Sequence, residues 1–189
     1  MADAHDFLRT TDLAPLVETH GELTVEAADD FFERFVTSIV SQQVSTASAR
    51  AIEARLFDAV EVTPDGVLRA DESVLRDAGL SGRKVRYVRN VAEAFREHGY
   101  SQAYFAEMDD AAVVDELTQI TGVGQWTAEM QLMFSLGRED VFPVGDLGIR
   151  KGMRELYGDL SRPEMVDRSA AWAPYRSYAS RYLWRVVDD

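Results

Sequence analysis

Apolar residues along this chain recur at intervals of three and four, and alternation with period two between turn residues is hard to find. Such spacing marks amphipathic helices rather than strands. Residues 31–57 carry Phe32, Phe35, Val36, Ile39 and Val40, then Ile52 and Leu56, with a break expected at Val44–Thr46 where β-branched and hydroxyl residues cluster. Asp29 or Asp30 can cap that run. Thr63-Pro64 reads as an N-cap followed by proline at the first helical position. Asp71 is placed to cap Glu72–Ala78, and Gly79 to close it in the left-handed conformation. Ser81 opens a helix with Val85, Val88, Ala92 and Phe95 on one face, and Asp109 or Asp110 opens one with Val113, Val114, Leu117 and Ile120 inward. Pro163 starts another helix, and Pro174 precedes a last one bearing Tyr178, Tyr182 and Val186. The pattern predicts an all-α fold read as a single domain over 1–189, with two helical lobes if the terminal helices pack together.

Composition agrees with a globular chain: 189 residues, 46% hydrophobic, enough for one sizeable core. No apolar run approaches the ~18 residues of a membrane span, and MADAHDFLRT lacks a signal-peptide layout, so a cytoplasmic, nucleoid-associated protein without membrane contact is expected. Cysteine is absent, which excludes disulfides, thiolate metal sites and an iron–sulfur cluster. The net charge of −13 argues against nucleic-acid binding on the simplest rule. Yet Lys84 and Lys151 are the only lysines, and the acidic residues are scattered. Scarce lysine with excess carboxylate suits a salt-loaded cytoplasm, where screening is short-ranged; the charge is read as a halophilic solubility adaptation.

Two features carry chemistry. In Thr121-Gly122-Val123-Gly124-Gln125, the glycines permit backbone angles closed to other residues and clear space for close approach. The helix that follows presents free N–H groups and the positive end of its dipole, so a phosphate can bind there without basic side chains. Taken alone, such a turn serves equally as a tight connector. The second feature is Asp146 in FPVGDLGIRKG, where Pro143 forces an extended approach and Leu147–Met153 can be helical. An aspartate there is either an N-cap or a carboxylate placed for reaction. His5, His20 and His98 show no ligand-like spacing.

LTQITGVGQWTAEM resembles the helix-hairpin-helix of the base-excision DNA glycosylase superfamily (hairpin unit about 111–136), with Ile120-Thr121 where the family commonly has Leu-Pro. The run WTAEM…LGREDVFPVGDLGIRKG resembles the catalytic segment of 3-methyladenine DNA glycosylase II (about 141–153), with Gly145 where many members have a second acidic residue. AWAPYRSYASRYLWRVV resembles the family's closing helix (about 174–187), and SIVSQQVSTASA its first shared stretch.

The resemblance implies a monofunctional enzyme of base-excision repair acting on double-stranded DNA, as a monomer and with no required cofactor, and a bare helical core without the extra β domain of longer relatives. By position, Asp146 is the catalytic carboxylate, which stabilises positive charge on the sugar and assists water attack. Trp126, Trp184 and Met130 line the base pocket, where indoles stack on cationic alkylated purines. Gln43 enters the duplex where the base is flipped out, and Gln42 is structural. Gly122, Val123, Gly124, Gln125 and Thr127 face the DNA backbone. The carbonyls of Thr118, Ile120 and Val123 match those that hold a monovalent cation. Trp126 stands where the bifunctional branch has its Schiff-base lysine, so strand cleavage is not expected. Arg83, Lys84, Arg86 and Arg89, with Arg150, Lys151 and Arg154, are candidate DNA contacts; Trp172, Arg176 and Tyr178 are structural. Hypoxanthine, uracil or a mismatched base remain open as substrates, as does a catalytically silent helix-hairpin-helix binding module.

Overall fold

A computed structural model describes residues 3–188, which form thirteen α-helices and no strand. In chain order they are α1 (Ala4–Leu8), α2 (Ala14–His20), α3 (Phe31–Ser41), α4 (Thr46–Ala59), α5 (Pro64–Arg69), α6 (Glu72–Asp77), α7 (Gly82–His98), α8 (Gln102–Phe105), α9 (Asp110–Thr118), α10 (Gln125–Phe134), α11 (Leu147–Tyr157), α12 (Arg162–Ser169) and α13 (Arg176–Asp188). A single 3₁₀ turn, Ala170–Trp172, links the last two. None of these helices is long and apolar enough to cross a membrane.

The boundaries follow the capping chemistry. Asp30, Ser45, Thr63, Ser81, Asp109 and Asp146 each accept a hydrogen bond from a backbone N–H in the first turn of the helix they precede, satisfying donors that the helix itself cannot. Ser161 and Glu164 form a reciprocal capping box on α12. At the end of α6, Leu80 N donates to Leu75 O and Gly79 N to Arg76 O around Gly79 at φ 110°. This is the paired-bond closure that a left-handed glycine permits. Asp71 precedes α6 without a side-chain cap bond.

The chain divides into two compact units, with the boundary inside α10. One contains residues 28–131. Its core is a cluster of edge-to-face rings, in which Phe95 meets Phe31, Phe32, Phe35 and Tyr100 at centroid separations of 5.0–5.7 Å. Helices α3 and α5 both pack on α7. The other unit joins the N-terminal segment to the residues from Leu132 onward. Here α13 packs on α11 and α2, as expected for terminal helices that meet. Leu8, Leu13, Val17, Ile149, Met153, Met165, Trp172, Tyr182 and Leu183 fill its core.

Candidate functional site

Asp146 is both an N-cap and a participant in a built polar site. It sits at φ −71°, ψ 137° ahead of α11, and its Oδ1 accepts from Ile149 N at 2.9 Å. The same oxygen accepts from Trp184 Nε1 at 2.8 Å. Both residues are half-buried, and Trp184 stacks on Phe134 with centroids 5.8 Å apart at 29°. The Trp184 N–H thus fixes the orientation of the carboxylate, a link the sequence reading did not contain.

Two glycines make this approach feasible. A Cβ on Gly148 would stand 2.6 Å from Trp184 Cδ1 and 3.1 Å from Asp146 Oδ1. One on Gly152, the next turn of α11, would run into the carbonyl of Leu183. The small pair, four residues apart on one helix face, lets α13 lie against the α11 backbone. Its signal was present in the sequence as Gly148-Ile-Arg-Lys-Gly152.

The loop leading to Asp146 is tied down from α13. Arg176 donates to both Asp140 oxygens at 2.7 and 2.8 Å. Ser177 Oγ accepts from Val141 N at 2.9 Å and donates to Arg138 O at 2.6 Å. Arg150 Nη1 donates to the carbonyls of Val144 and Gly145. Arg150 thus serves the loop backbone, and Arg154 pairs with Asp159 at 3.4 Å.

In the other unit, the hairpin connects α9 to α10. Gly122 has φ 104°, and a Cβ there would collide with the Tyr87 ring. Gly122 is thus required by the fold. Gly124 is different: it is exposed, and nothing lies within 4 Å of where its Cβ would be. Val123 is 5% exposed and plugs the hairpin inward, while Asn90 Nδ2 donates to Thr121 O at 3.0 Å. Gln125 is exposed at the first turn of α10, where the N–H groups lack intrahelical partners. Thr127, grouped above with the residues facing DNA, is 2% exposed. Its hydroxyl accepts from Gln42 Nε2 at 3.1 Å, which gives the structural role expected of Gln42 and removes the Thr127 side chain from any outer surface. Trp126 is half-buried and Met130, one turn on, is buried.

Among the hairpin carbonyls, Ile120 O accepts from Val123 N at 2.9 Å.

Gln43 lies in the turn between α3 and α4, exposed, at φ 57°. Lys84 was expected to face DNA, but it is 9% exposed and its Nζ donates to Val40 O at the end of α3. Burial, with the neighbouring Arg83 charge, pulls its ammonium below the ordinary range. Arg89 Nη2 likewise donates to Ala70 O. Chain ends of helices and turns leave carbonyls needing donors, and long cations meet that need here; Arg86 and Lys151 stay exposed. Of the histidines, His5 is buried, with Nδ1 3.0 Å from Asp3 Oδ1 and Nε2 3.0 Å from Leu23 O.

Comparison with known proteins gives this arrangement its context. The family model "HhH-GPD superfamily base excision DNA repair protein" matches residues 36–174. The chain is 34% identical to DNA-3-methyladenine glycosylase 1 of Schizosaccharomyces pombe, over 82% of this chain and 72% of that one. A solved structure of a 3-methyladenine DNA glycosylase from the same yeast, in complex with abasic DNA, superposes with a TM-score of 0.88 at 30% identity, covering 96% of this chain and 95% of that one. A DNA-3-methyladenine glycosidase from Bacillus halodurans gives a TM-score of 0.81 at 36% identity, over 95% and 86% of the two chains. The match to the family model spans the hairpin, Asp146 and the start of the closing segment, and this chain belongs to the HhH-GPD superfamily of base excision DNA repair proteins.

Proposed function

We propose that this chain is a monofunctional DNA glycosylase that releases alkylated purines from double-stranded DNA and leaves an abasic site. The observation that carries the reading is the Asp146 carboxylate, oriented by the Ile149 N–H and the Trp184 indole within a family of base-excision proteins.

The chemistry follows from the charge. As the N-glycosidic bond breaks, its electron pair leaves with the base and C1′ becomes cationic. A fixed anion whose position is set by two donors needs no reorganisation to stabilise that cation. Water oxygen then bonds to C1′, and its proton passes to the carboxylate or to solvent. An alkylated purine already carries positive charge and leaves without a strong general acid. Trp184, beside Asp146, is assigned to stacking on the extruded base, and Gln43 to filling the vacated stack. Gly122 to Gln125 are assigned to the phosphate backbone through main-chain N–H groups. The carbonyls of Thr118, Ile120 and Val123 would hold a monovalent cation, which would add positive charge beside those amides.

Single-turnover assays on duplexes carrying 3-methyladenine, 7-methylguanine, hypoxanthine, uracil or a mismatch test the reading, with Asp146→Asn beside the parent. The expected result is release of alkylated purines, lowered at least ~10²-fold in Asp146→Asn with duplex binding retained. Release of only the other bases moves the specificity. Duplex binding with no excision of any base makes the chain a silent binding module. Borohydride trapping should give no covalent adduct, since Trp126 offers no amine. The acid-rich composition is assigned to function in concentrated salt, and equal melting temperatures in dilute buffer and in molar KCl would remove that assignment.

A further inference from the structure

Gln43 is the one non-glycine residue with a positive φ among the described residues, at 57°. The left-handed region is disfavoured for residues with a Cβ, and a turn needing it normally takes glycine. A glutamine held there points to a use for its side chain. That side chain is exposed, yet it is held: Arg83 Nη2 donates to Gln43 Oε1 at 3.0 Å.

The neighbouring contacts show why Arg83 is placed for this. Gln42 anchors the turn to Thr127, and Lys84 anchors the end of α3 through Val40 O. Arg83 and Lys84 are adjacent in the first turn of α7, which packs on α3. The Lys84 bond fixes the α7 start against the turn, and that in turn sets the Arg83 guanidinium over the exposed amide. We propose that Arg83 is a positioning residue that presets the Gln43 side chain for entry into the duplex, rather than a phosphate contact. The proposal rests on the wedge role assigned to Gln43.

A double-mutant cycle on the full chain tests it. The parent, Gln43→Ala, Arg83→Ala and the double variant are titrated against a labelled duplex holding a central tetrahydrofuran abasic analogue and against the same duplex intact. The readout is the preference for abasic over intact DNA, with binding repeated at several salt concentrations. Gln43→Ala should lower that preference roughly five- to tenfold, and Arg83→Ala roughly three- to fivefold, the scale of losing one hydrogen bond. In the Gln43→Ala background, Arg83→Ala should add less than about twofold, and the salt slope of the Arg83→Ala variant should match the parent. Equal losses from Arg83→Ala in both backgrounds, or a salt slope smaller by about one, would make Arg83 a phosphate contact and overturn the proposal. An unchanged preference in Arg83→Ala, with Gln43→Ala impaired, overturns it while leaving the wedge intact. An unaffected Gln43→Ala variant removes the wedge reading and the proposal with it.

Discussion

Trp184 Nε1 donates to Asp146 Oδ1 at 2.8 Å across 38 residues of sequence, and the oxygen that accepts it is the one that caps α11. The indole thus holds the same carboxylate oxygen that the first turn of α11 holds. Trp184→Phe keeps a ring against Phe134 but removes the donor. Excision should fall about tenfold, the value of one charge-assisted bond, while duplex binding stays within a fewfold of the parent. Parental single-turnover rates in Trp184→Phe would show that the indole N–H is not needed to orient the acid.

Gly148 and Gly152 face the same helix, α13, but guard different things. A methyl group at Gly148 enters the space between Trp184 and Asp146, 2.6 Å from the indole. Gly148→Ala should therefore depress excision and alter tryptophan fluorescence with a modest change in melting temperature. At Gly152 the methyl meets the Leu183 backbone, which cannot swing aside. Gly152→Ala should cost about 1–3 kcal/mol through overpacking, seen as a drop of several degrees in melting temperature. The opposite pattern would reverse the two assignments.

The division between what could and could not be read beforehand follows the range of the interactions. Helices such as α7 announce themselves because Val85, Val88, Ala92 and Phe95 repeat at the right spacing between a serine cap and a glycine stop. Helices α1 and α2 do not, since five and seven residues are too few for a periodic signal. Tertiary bonds hold this segment instead, with the Tyr182 hydroxyl donating to Gly21 O and His5 reaching Leu23 O. Asp146 was visible through its motif and its N-cap position. Its bond to Trp184 was not, because a pairing across 38 residues leaves no local pattern. The same holds for the basic residues: sequence shows that Lys84, Arg89 and Arg150 are cations, and only the fold shows which carbonyls they satisfy.

The hairpin glycines separate fold from binding. Gly122 is held at φ 104° against Tyr87, so Gly122→Ala should destabilise the chain. Gly124 is not among the positive-φ glycines and has open space around its would-be Cβ. Its small size is therefore not demanded by the chain's own packing. If a DNA backbone lies against it, Gly124→Val should leave the melting temperature within about a degree and weaken duplex binding at least about tenfold, through loss of close main-chain approach. Fluorescence anisotropy and thermal melting together decide this. Unchanged affinity in Gly124→Val would mean that DNA does not approach at this glycine.

The clamp between Asp140 and Arg176 predicts a pH dependence of stability. Burial of Asp140 opposes its ionisation, but the two guanidinium bonds and the Arg176 backbone N–H outweigh it and hold the carboxyl below the usual carboxylate range. A group whose folded pKa is depressed stabilises the fold at every pH above its unfolded value, near 3.9, and loses that contribution as pH falls through the folded value. Both partners are about one-third exposed, so solvent screening limits the effect to about 1 kcal/mol, or a few degrees in melting temperature. Asp140→Asn should therefore melt a few degrees below the parent at pH 7, with the gap closing as pH falls below the ordinary carboxylate range and the parent's own carboxylate is neutralised. Other acidic groups titrate in both proteins and cancel in the difference. A gap that stays constant down to pH 2 would assign the loss to packing or hydrogen-bond geometry rather than to the charge on Asp140.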